Sequence, residues 1–183
     1  LCIAGGLCKQ WLEARGICIG AHLAAVGGVW DRSFDPISPE LSDVNTDFPV
    51  LDSDAGEKMR LTVAQARKEA DSVGGIIECA VTGLSAGLGD PMFDGMENRL
   101  AQILFGIPAV KGVEFGDGFE TARMKGSEHN DPIGPDGRPT KNGAGGANGG
   151  ITNGMPIIFR AAIKPTPSIG QKQRTVDLQK REN

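Results

Sequence analysis

The 183-residue chain has few of the residues that build metal sites. It contains four cysteines and two histidines, and the cysteines form no CxxC pair with the spacing of metal ligands. We therefore expect no metal site and free, buried thiols in a reducing compartment. The cysteines are Cys2, Cys8, Cys18 and Cys79, and the histidines are His22 and His129.

The chain also lacks long apolar runs and an excess of basic charge. No run approaches the roughly 20 residues that cross a bilayer, and Lys9, Trp11 and Glu13 interrupt the place where a signal peptide would have its apolar core. The net charge of −4 argues against a nucleic-acid surface. We expect a protein of the cytoplasm or of an organelle stroma that binds neither membranes nor nucleic acids.

Charge is unevenly distributed along the chain. Acidic residues concentrate between positions 31 and 57, and basic residues between positions 158 and 181. The acidic segment 31–54 contains three prolines and predicts a solvated loop, because its carboxylates lack the spacing of a calcium loop. The basic end would attract an anionic ligand.

Hydrophobic periodicity predicts one core domain in which helices and strands alternate. Two helices open with the spacing of a capping box, at Asp54 and Glu57 and again at Asp94 and Glu97. In the first strand, His22 falls on the face opposite Ile19. Periodicity alone therefore suggests an alternating α/β fold. The expected helices span about 1–16, 54–74 and from 94 onward, and the strands span 17–23, 76–82, 109–115 and 155–163.

The segment 143–168 joins a glycine-dense loop to an apolar strand and then to a Lys-Pro-Thr-Pro-Ser turn. Glycine lets the backbone approach a ligand closely, while Pro165 and Pro167 restrict the chain on either side of Thr166. A cationic, restricted turn at a strand end suits an anionic ligand. A plain surface loop followed by a strand and a turn is the alternative.

Two motifs match known sites incompletely. Ser85 lies in a G-x-S-x-G string, but Gly87 and Pro91 disfavour the helix that a nucleophile elbow needs. The loop 143–150 has Asn148 where a dinucleotide fingerprint has its third glycine, and polar residues precede it in place of a strand.

Acid–base chemistry has two further candidates. His129 could act as a general acid or base, although a solvated surface histidine without a partner is the simpler interpretation. Glu114 and Asp117 could pair as acid and base at a strand end. Surface carboxylates at a turn are the alternative for them.

Longer strings resemble the central portion of chorismate synthases over essentially the whole chain. They are GLSAGLGDPMFDGMENRLAQILFGIPAVKGVEFGDGF, GSEHND, GGITNGMPIIFRAAIKPTPSI and RTVDL. The resemblance implies an α+β fold, a β-α-β sandwich with helices packed between antiparallel sheets, in one core domain over 1–183. It also implies a homotetrameric lyase of aromatic amino-acid biosynthesis, which converts 5-enolpyruvylshikimate 3-phosphate to chorismate by anti-1,4-elimination of phosphate with reduced FMN.

The resemblance further implies which residues contact FMN. Lys164 would supply positive charge, Thr166 and Ser168 would donate hydroxyl hydrogen bonds, and Gly149 would let the backbone approach. The full set is Pro108, Ala109, Gly149, Lys164, Pro165, Thr166, Pro167 and Ser168.

Other parts of the family pattern are absent from the sequence. The two histidine motifs, of the GxSHG and HAD types, do not occur, so no catalytic residue is assigned. The arginine-rich flavin segment is expected before Leu1 and a further motif after Asn183. We therefore expect a core truncated at both ends and inactive by itself. The alternative is a non-catalytic folding or oligomerisation core that binds neither ligand tightly.

Overall fold

A computed structural model describes residues 1–45, 47–176 and 179. Asp177 and Leu178 of the RTVDL string, and Lys180 and Arg181 of the basic end, lie outside the described residues. In the described part the helices are α1 (Cys2–Glu13), α2 (Ser53–Lys68), α3 (Met96–Phe105) and α4 (Gly126–His129). The strands are β1 (Cys18–Val26), β2 (Val29–Trp30), β3 (Gly75–Thr82), β4 (Val110–Phe115), β5 (Ala147–Asn148), β6 (Ile151–Thr152) and β7 (Ile157–Ile163).

Five of the strands form one sheet in the order β2-β1-β3-β7-β4. Every neighbouring pair in it is antiparallel, which confirms the α+β class. The alternating α/β arrangement suggested by periodicity is wrong for a topological reason. β3 and β4 run parallel on either side of α3 in sequence, but β7 inserts between them, so the β3-α3-β4 unit is split.

The core lies on both faces of this sheet. Cys79, Val81, Ile157 and Phe159 point to one face, where Met96, Leu100 and Leu104 of α3 pack against them. Ala80 and Ile158 point to the other face and contact the buried Phe34. The acidic segment is therefore partly a cover for the second face of the sheet, and the expectation of a solvated loop is wrong for Phe34 and its apolar neighbours.

Helices α1, α2 and α3 occur close to where they were expected, but the caps of α2 and α3 differ from the predicted ones, and the short helix α4 was not expected. The Asp52 side chain accepts hydrogen bonds from the backbone N–H groups of Asp54 and Ala55, at 2.8 and 3.4 Å, so Asp52 caps α2 in place of Asp54. Gly95 precedes α3, and Asp94 instead pairs with Arg99. α2 ends at Lys68, because Ala70 takes a left-handed conformation with φ of 52°.

Helix α1 lies on the surface of the described structure. Its predicted apolar side chains do not enter the core, since every residue of α1 is exposed or half-buried. The Arg15 guanidinium instead stacks on the Trp11 ring, 3.5 Å from its centroid. In the described part of the chain, no helix is both long and apolar enough to cross a membrane.

The four cysteines are free thiols, as expected, but three of them are exposed. Only Cys79, at the centre of β3, is buried. Burial raises the pKa of the Cys79 thiol to about 12. The expectation of buried thiols is correct for Cys79 and wrong for Cys2, Cys8 and Cys18, which lie on α1 and at the exposed start of β1.

Candidate functional site

The glycine-dense loop ends in a tight β-hairpin. β5 pairs with β6 through Asn148 and Ile151, which leaves Gly149 and Gly150 as the two turn residues. Both have positive φ, 60° and 88°, as the favoured two-residue hairpin turn requires. A strand follows this loop, which removes the geometry of a dinucleotide site.

The two turn glycines have different surroundings. A Cβ added at Gly149 would meet nothing within 4 Å, whereas one added at Gly150 would collide with the backbone of Asp90 and Gly95. The Gly150 carbonyl also accepts a 2.8 Å hydrogen bond from the Met96 N–H at the start of α3. Gly150 is therefore needed for packing, and Gly149 leaves its backbone open to a ligand.

The hairpin also holds the segment around Ser85. The Thr152 hydroxyl donates to the Ser85 carbonyl at 2.7 Å and accepts from the Leu88 N–H at 2.9 Å. The residues that follow Ser85 form turns, so the nucleophile-elbow geometry is not built. Ser85 serves as a backbone partner of the hairpin.

Lys164 immediately follows β7, as the sequence predicts. Its backbone N–H donates to the Ala109 carbonyl at 2.9 Å, so two of the predicted FMN contacts lie together. Ala109 has a left-handed φ of 74°. The Thr166 carbonyl accepts a 2.7 Å hydrogen bond from the Ser72 hydroxyl. All side chains of the turn 164–168 are exposed, as is Pro108.

The predicted FMN residues thus fall into two groups. Ala109 and Lys164 lie at the start of β4, while Gly149 shares a cavity with Phe115 at its end. β4 has six residues, which extend over about 20 Å at the usual rise per residue. Whether both groups contact one FMN molecule stays a prediction.

The cavity beside Gly149 has a volume of about 600 Å³, and we call it the His129 cavity. Burial raises the pKa of the Glu97 carboxyl in its wall. The cavity combines ionisable groups with apolar surface and an open backbone, which is the composition typical of ligand sites. The residues that line the cavity include Glu97, Glu114, Phe115, Phe119, His129 and Gly149.

His129 has a partner that sequence reasoning missed. Its Nδ1 lies 3.2 Å from Asp117 Oδ2, and Lys141 Nζ lies 3.2 Å from the same oxygen. The expectation of a solvated histidine without a partner is therefore wrong. Asp117 precedes His129 by twelve positions, across a turn and α4, and no local spacing rule connects them.

A line of four ionisable side chains crosses the sheet on the face opposite α3. The strand register places His22 beside Glu78, and Arg160 beside both Glu78 and Glu114. His22 Nε2 lies 3.0 Å from Glu78 Oε2, and Arg160 Nε lies 2.7 Å from Glu114 Oε1. The only sequence signal was one charged residue or histidine within an otherwise largely apolar strand, in each of β1, β3 and β7, and Glu114 near the end of β4, which also carries Lys111.

Side chains towards both ends of this line form hydrogen bonds with neighbouring loops. Asp31 Oδ2 lies 3.0 Å from His22 Nδ1 and accepts from the Leu51 N–H, which attaches the acidic segment. At the other end, Arg160 Nη2 donates to the Gly116 carbonyl at 2.7 Å. Glu114 thus pairs with Arg160. Asp117 pairs with His129 and Lys141. Glu114 and Asp117 do not pair with each other as acid and base, and both are half-buried carboxylates near a turn.

The fold and these sites define an α+β protein whose antiparallel sheet carries a cationic turn and an open glycine hairpin. A family model described as chorismate synthase matches residues 1–183. The chain belongs to the chorismate synthase family.

Individual relatives agree with this family. The chorismate synthase of Methanosarcina acetivorans is 50% identical over 99% of this chain and 51% of the relative. That of Lancefieldella parvula is 44% identical over all of this chain and 53% of the relative. A crystal structure of a chorismate synthase superposes with a TM-score of 0.82 at 32% identity, over 90% of this chain and 54% of that one. The chain thus spans about half the length of the relatives it matches.

Proposed function

We propose that this chain carries part of the FMN site of a chorismate synthase. The protein to which it belongs is then a carbon–oxygen lyase of the cytoplasm, which converts 5-enolpyruvylshikimate 3-phosphate to chorismate and phosphate. The observation that carries the proposal is the position of Lys164. Lys164 opens the Lys-Pro-Thr-Pro-Ser turn directly after β7. Its backbone N–H donates a hydrogen bond to the carbonyl of Ala109, which is another of the predicted FMN contacts.

The residues of the two groups suit opposite ends of a flavin. Lys164 is an exposed cation, and the Thr166 and Ser168 hydroxyls lie exposed on the same turn, so this group matches a phosphate. Pro165 and Pro167 hold the turn, and Pro108 and Ala109 border it. Gly149, with open space where a Cβ would stand, lets a flat ring approach the backbone.

Reduced FMN, when bound, supplies the electron density that helps phosphate leave the substrate. The residues of this chain contribute binding and orientation. Lys164 neutralises phosphate charge, and the hairpin at Gly149 positions the ring. No acid–base residue is assigned here, because neither family histidine motif occurs in the sequence.

The competing candidate is a non-catalytic folding or oligomerisation core. It is favoured by the apolar side chains on the surface of α1, where Leu7 is 65% exposed and Trp11 is 58% exposed. Such a surface suits contact with further protein. We propose that the intact enzyme is a homotetramer.

A chimera tests the proposed activity. The matched half of the Methanosarcina acetivorans enzyme is replaced by residues 1–183, and chorismate and phosphate are measured with reduced FMN and substrate. We expect turnover close to that of the parent enzyme. The chain alone should be slower by at least about 10²- to 10⁴-fold, the usual cost of a missing general acid or base. A folded but inactive chimera would contradict the proposed activity, and parent-like turnover by the chain alone would contradict a partial site.

An FMN titration tests the role of Lys164. Lys164→Ala should weaken FMN binding to the chain roughly 10- to 100-fold, since a hydrogen bond to a charged group is lost. Lys172→Ala removes an exposed cation from the same C-terminal segment and is the matched control. Equal affinities for the two variants would remove Lys164 from the site.

A further inference from the structure

His129 presents an unused ring nitrogen in the His129 cavity. Its Nδ1 is engaged by Asp117, whereas no residue in the described part of the chain hydrogen-bonds Nε2. The imidazole is 36% exposed and forms part of the cavity wall beside Gly149. Nε2 is therefore available to a molecule that enters the cavity.

Asp117 is held in place by the surrounding loops. Its backbone N–H donates to the Gly143 carbonyl at 2.9 Å, and its carboxylate also pairs with Lys141. An ionised carboxylate only accepts hydrogen bonds, so it selects the histidine tautomer with the proton on Nδ1. In the neutral ring, Nε2 then carries a lone pair that accepts a hydrogen bond.

The other ionisable groups of the cavity complement this acceptor. Glu114 is neutralised by Arg160. Glu97, in the first turn of α3, has no partner within the described residues, and burial raises the pKa of its carboxyl. Glu97 therefore takes up a proton more readily than an exposed glutamate and can then donate to an oxygen. The cavity offers an acceptor at His129 and, when Glu97 is protonated, a donor, with Phe115 and Phe119 as apolar surface.

We propose that His129 is a ligand-contacting residue, positioned by Asp117, whose Nε2 accepts a hydrogen bond from a ring N–H flanked by carbonyl oxygens on a planar heteroaromatic ligand. The inference rests on the proposed function, because the imide edge of the FMN ring is such a group and Gly149 borders the same cavity. It adds a contact for the ring that the family resemblance does not assign.

A double cycle of protein and ligand changes tests this contact. FMN and N3-methyl-FMN, which lacks the imide proton, are titrated into the wild-type chain, His129→Phe and the control Ser127→Ala, an exposed position of α4. Removing either partner should weaken binding about tenfold, the size of one hydrogen bond. N3-methylation should then cost nothing further in His129→Phe, because coupled partners are not additive.

A spectroscopic measurement on the wild-type side chain keeps the test independent of folding of the variant. In ¹⁵N spectra, FMN should shift Nε2 of His129, and N3-methyl-FMN should not. Asp117→Ala removes the acceptor of the Nδ1 proton, so it should shift the neutral ring towards the tautomer with the proton on Nε2, which a purely structural role for Asp117 would not require.

The outcomes separate this inference from the proposed function. If FMN binds and Lys164→Ala weakens it, but N3-methylation costs the same with and without His129, the His129 contact is refuted and the flavin site stands. If the wild-type chain binds no FMN, both the flavin site on this chain and the His129 contact are refuted.

Discussion

His22 Nε2 lies 3.0 Å from Glu78 Oε2, and each residue is 1% exposed. The two residues are direct cross-strand neighbours on β1 and β3. Glu78 Oε2 also accepts a 2.7 Å hydrogen bond from the Phe34 N–H, so the pair binds the segment that covers this face of the sheet. Buried ionisable groups are tolerated because each one has a partner.

The buried line should be sensitive to removal of its central carboxylate. Glu78→Leu removes the acceptor of the Phe34 N–H and one of the two carboxylate partners of His22 and of Arg160, and breaking a buried pair typically costs about 3–5 kcal/mol. We expect that decrease in the free energy of unfolding, measured by urea denaturation. Lys111→Ala, at an exposed position of β4, is the control and should stay within about 0.5 kcal/mol. A loss of stability no larger for Glu78→Leu than for this control would show that the line contributes little.

Gly116 should not tolerate a side chain. It has φ of 55°, and an added Cβ would overlap the backbone of Gly143 and Gly145. Gly137→Ala is a matched control, because Gly137 has φ of 77° but open space around the new methyl group. Both variants carry backbone strain of about 1 kcal/mol, and only Gly116→Ala adds a clash, which typically costs about 1–3 kcal/mol more. Thermal unfolding that ranks the variants equally would contradict the close approach of these loops.

The cap of α2 can be assigned by mutation. Asp52→Ala should lower the free energy of unfolding by about 1 kcal/mol, because two backbone N–H groups lose their acceptor. Asp54→Ala tests the cap that the sequence predicted, and it should cost only the few tenths typical of a charge in the first turn. The reverse order of the two effects in urea denaturation would restore the sequence-based assignment.

The cysteines should differ in reactivity towards a thiol-disulfide reagent. The thiolate is the reactive form, and burial keeps the pKa of Cys79 at about 12, so Cys79 stays protonated and shielded near pH 8. We expect Cys2, Cys8 and Cys18 to react rapidly and Cys79 only after unfolding. As pH rises towards 12, unfolding becomes easier, because Cys79 ionises at a lower pH in the unfolded chain. Rapid modification of Cys79 in the native chain at pH 8 would contradict its burial.

Sequence reasoning was most successful where the signal is local. The helices and long strands follow from apolar periodicity, and Lys164 was correctly expected at the end of β7. The capping residue of α2 was misassigned by two positions, because Asp52 and Asp54 both precede the same apolar pattern. The distinction depends on which backbone N–H groups reach the carboxylate.

The sequence by itself determined the family, the main elements and the cationic turn at Lys164, because motifs and periodicity are properties of neighbouring residues. Only the tertiary structure decided that β7 lies between β3 and β4, and that His22 meets Glu78 across 56 positions. It likewise brought Asp117 to His129 in the wall of a cavity. Such contacts depend on strand order, register and loop paths, and these are set by packing of the whole chain.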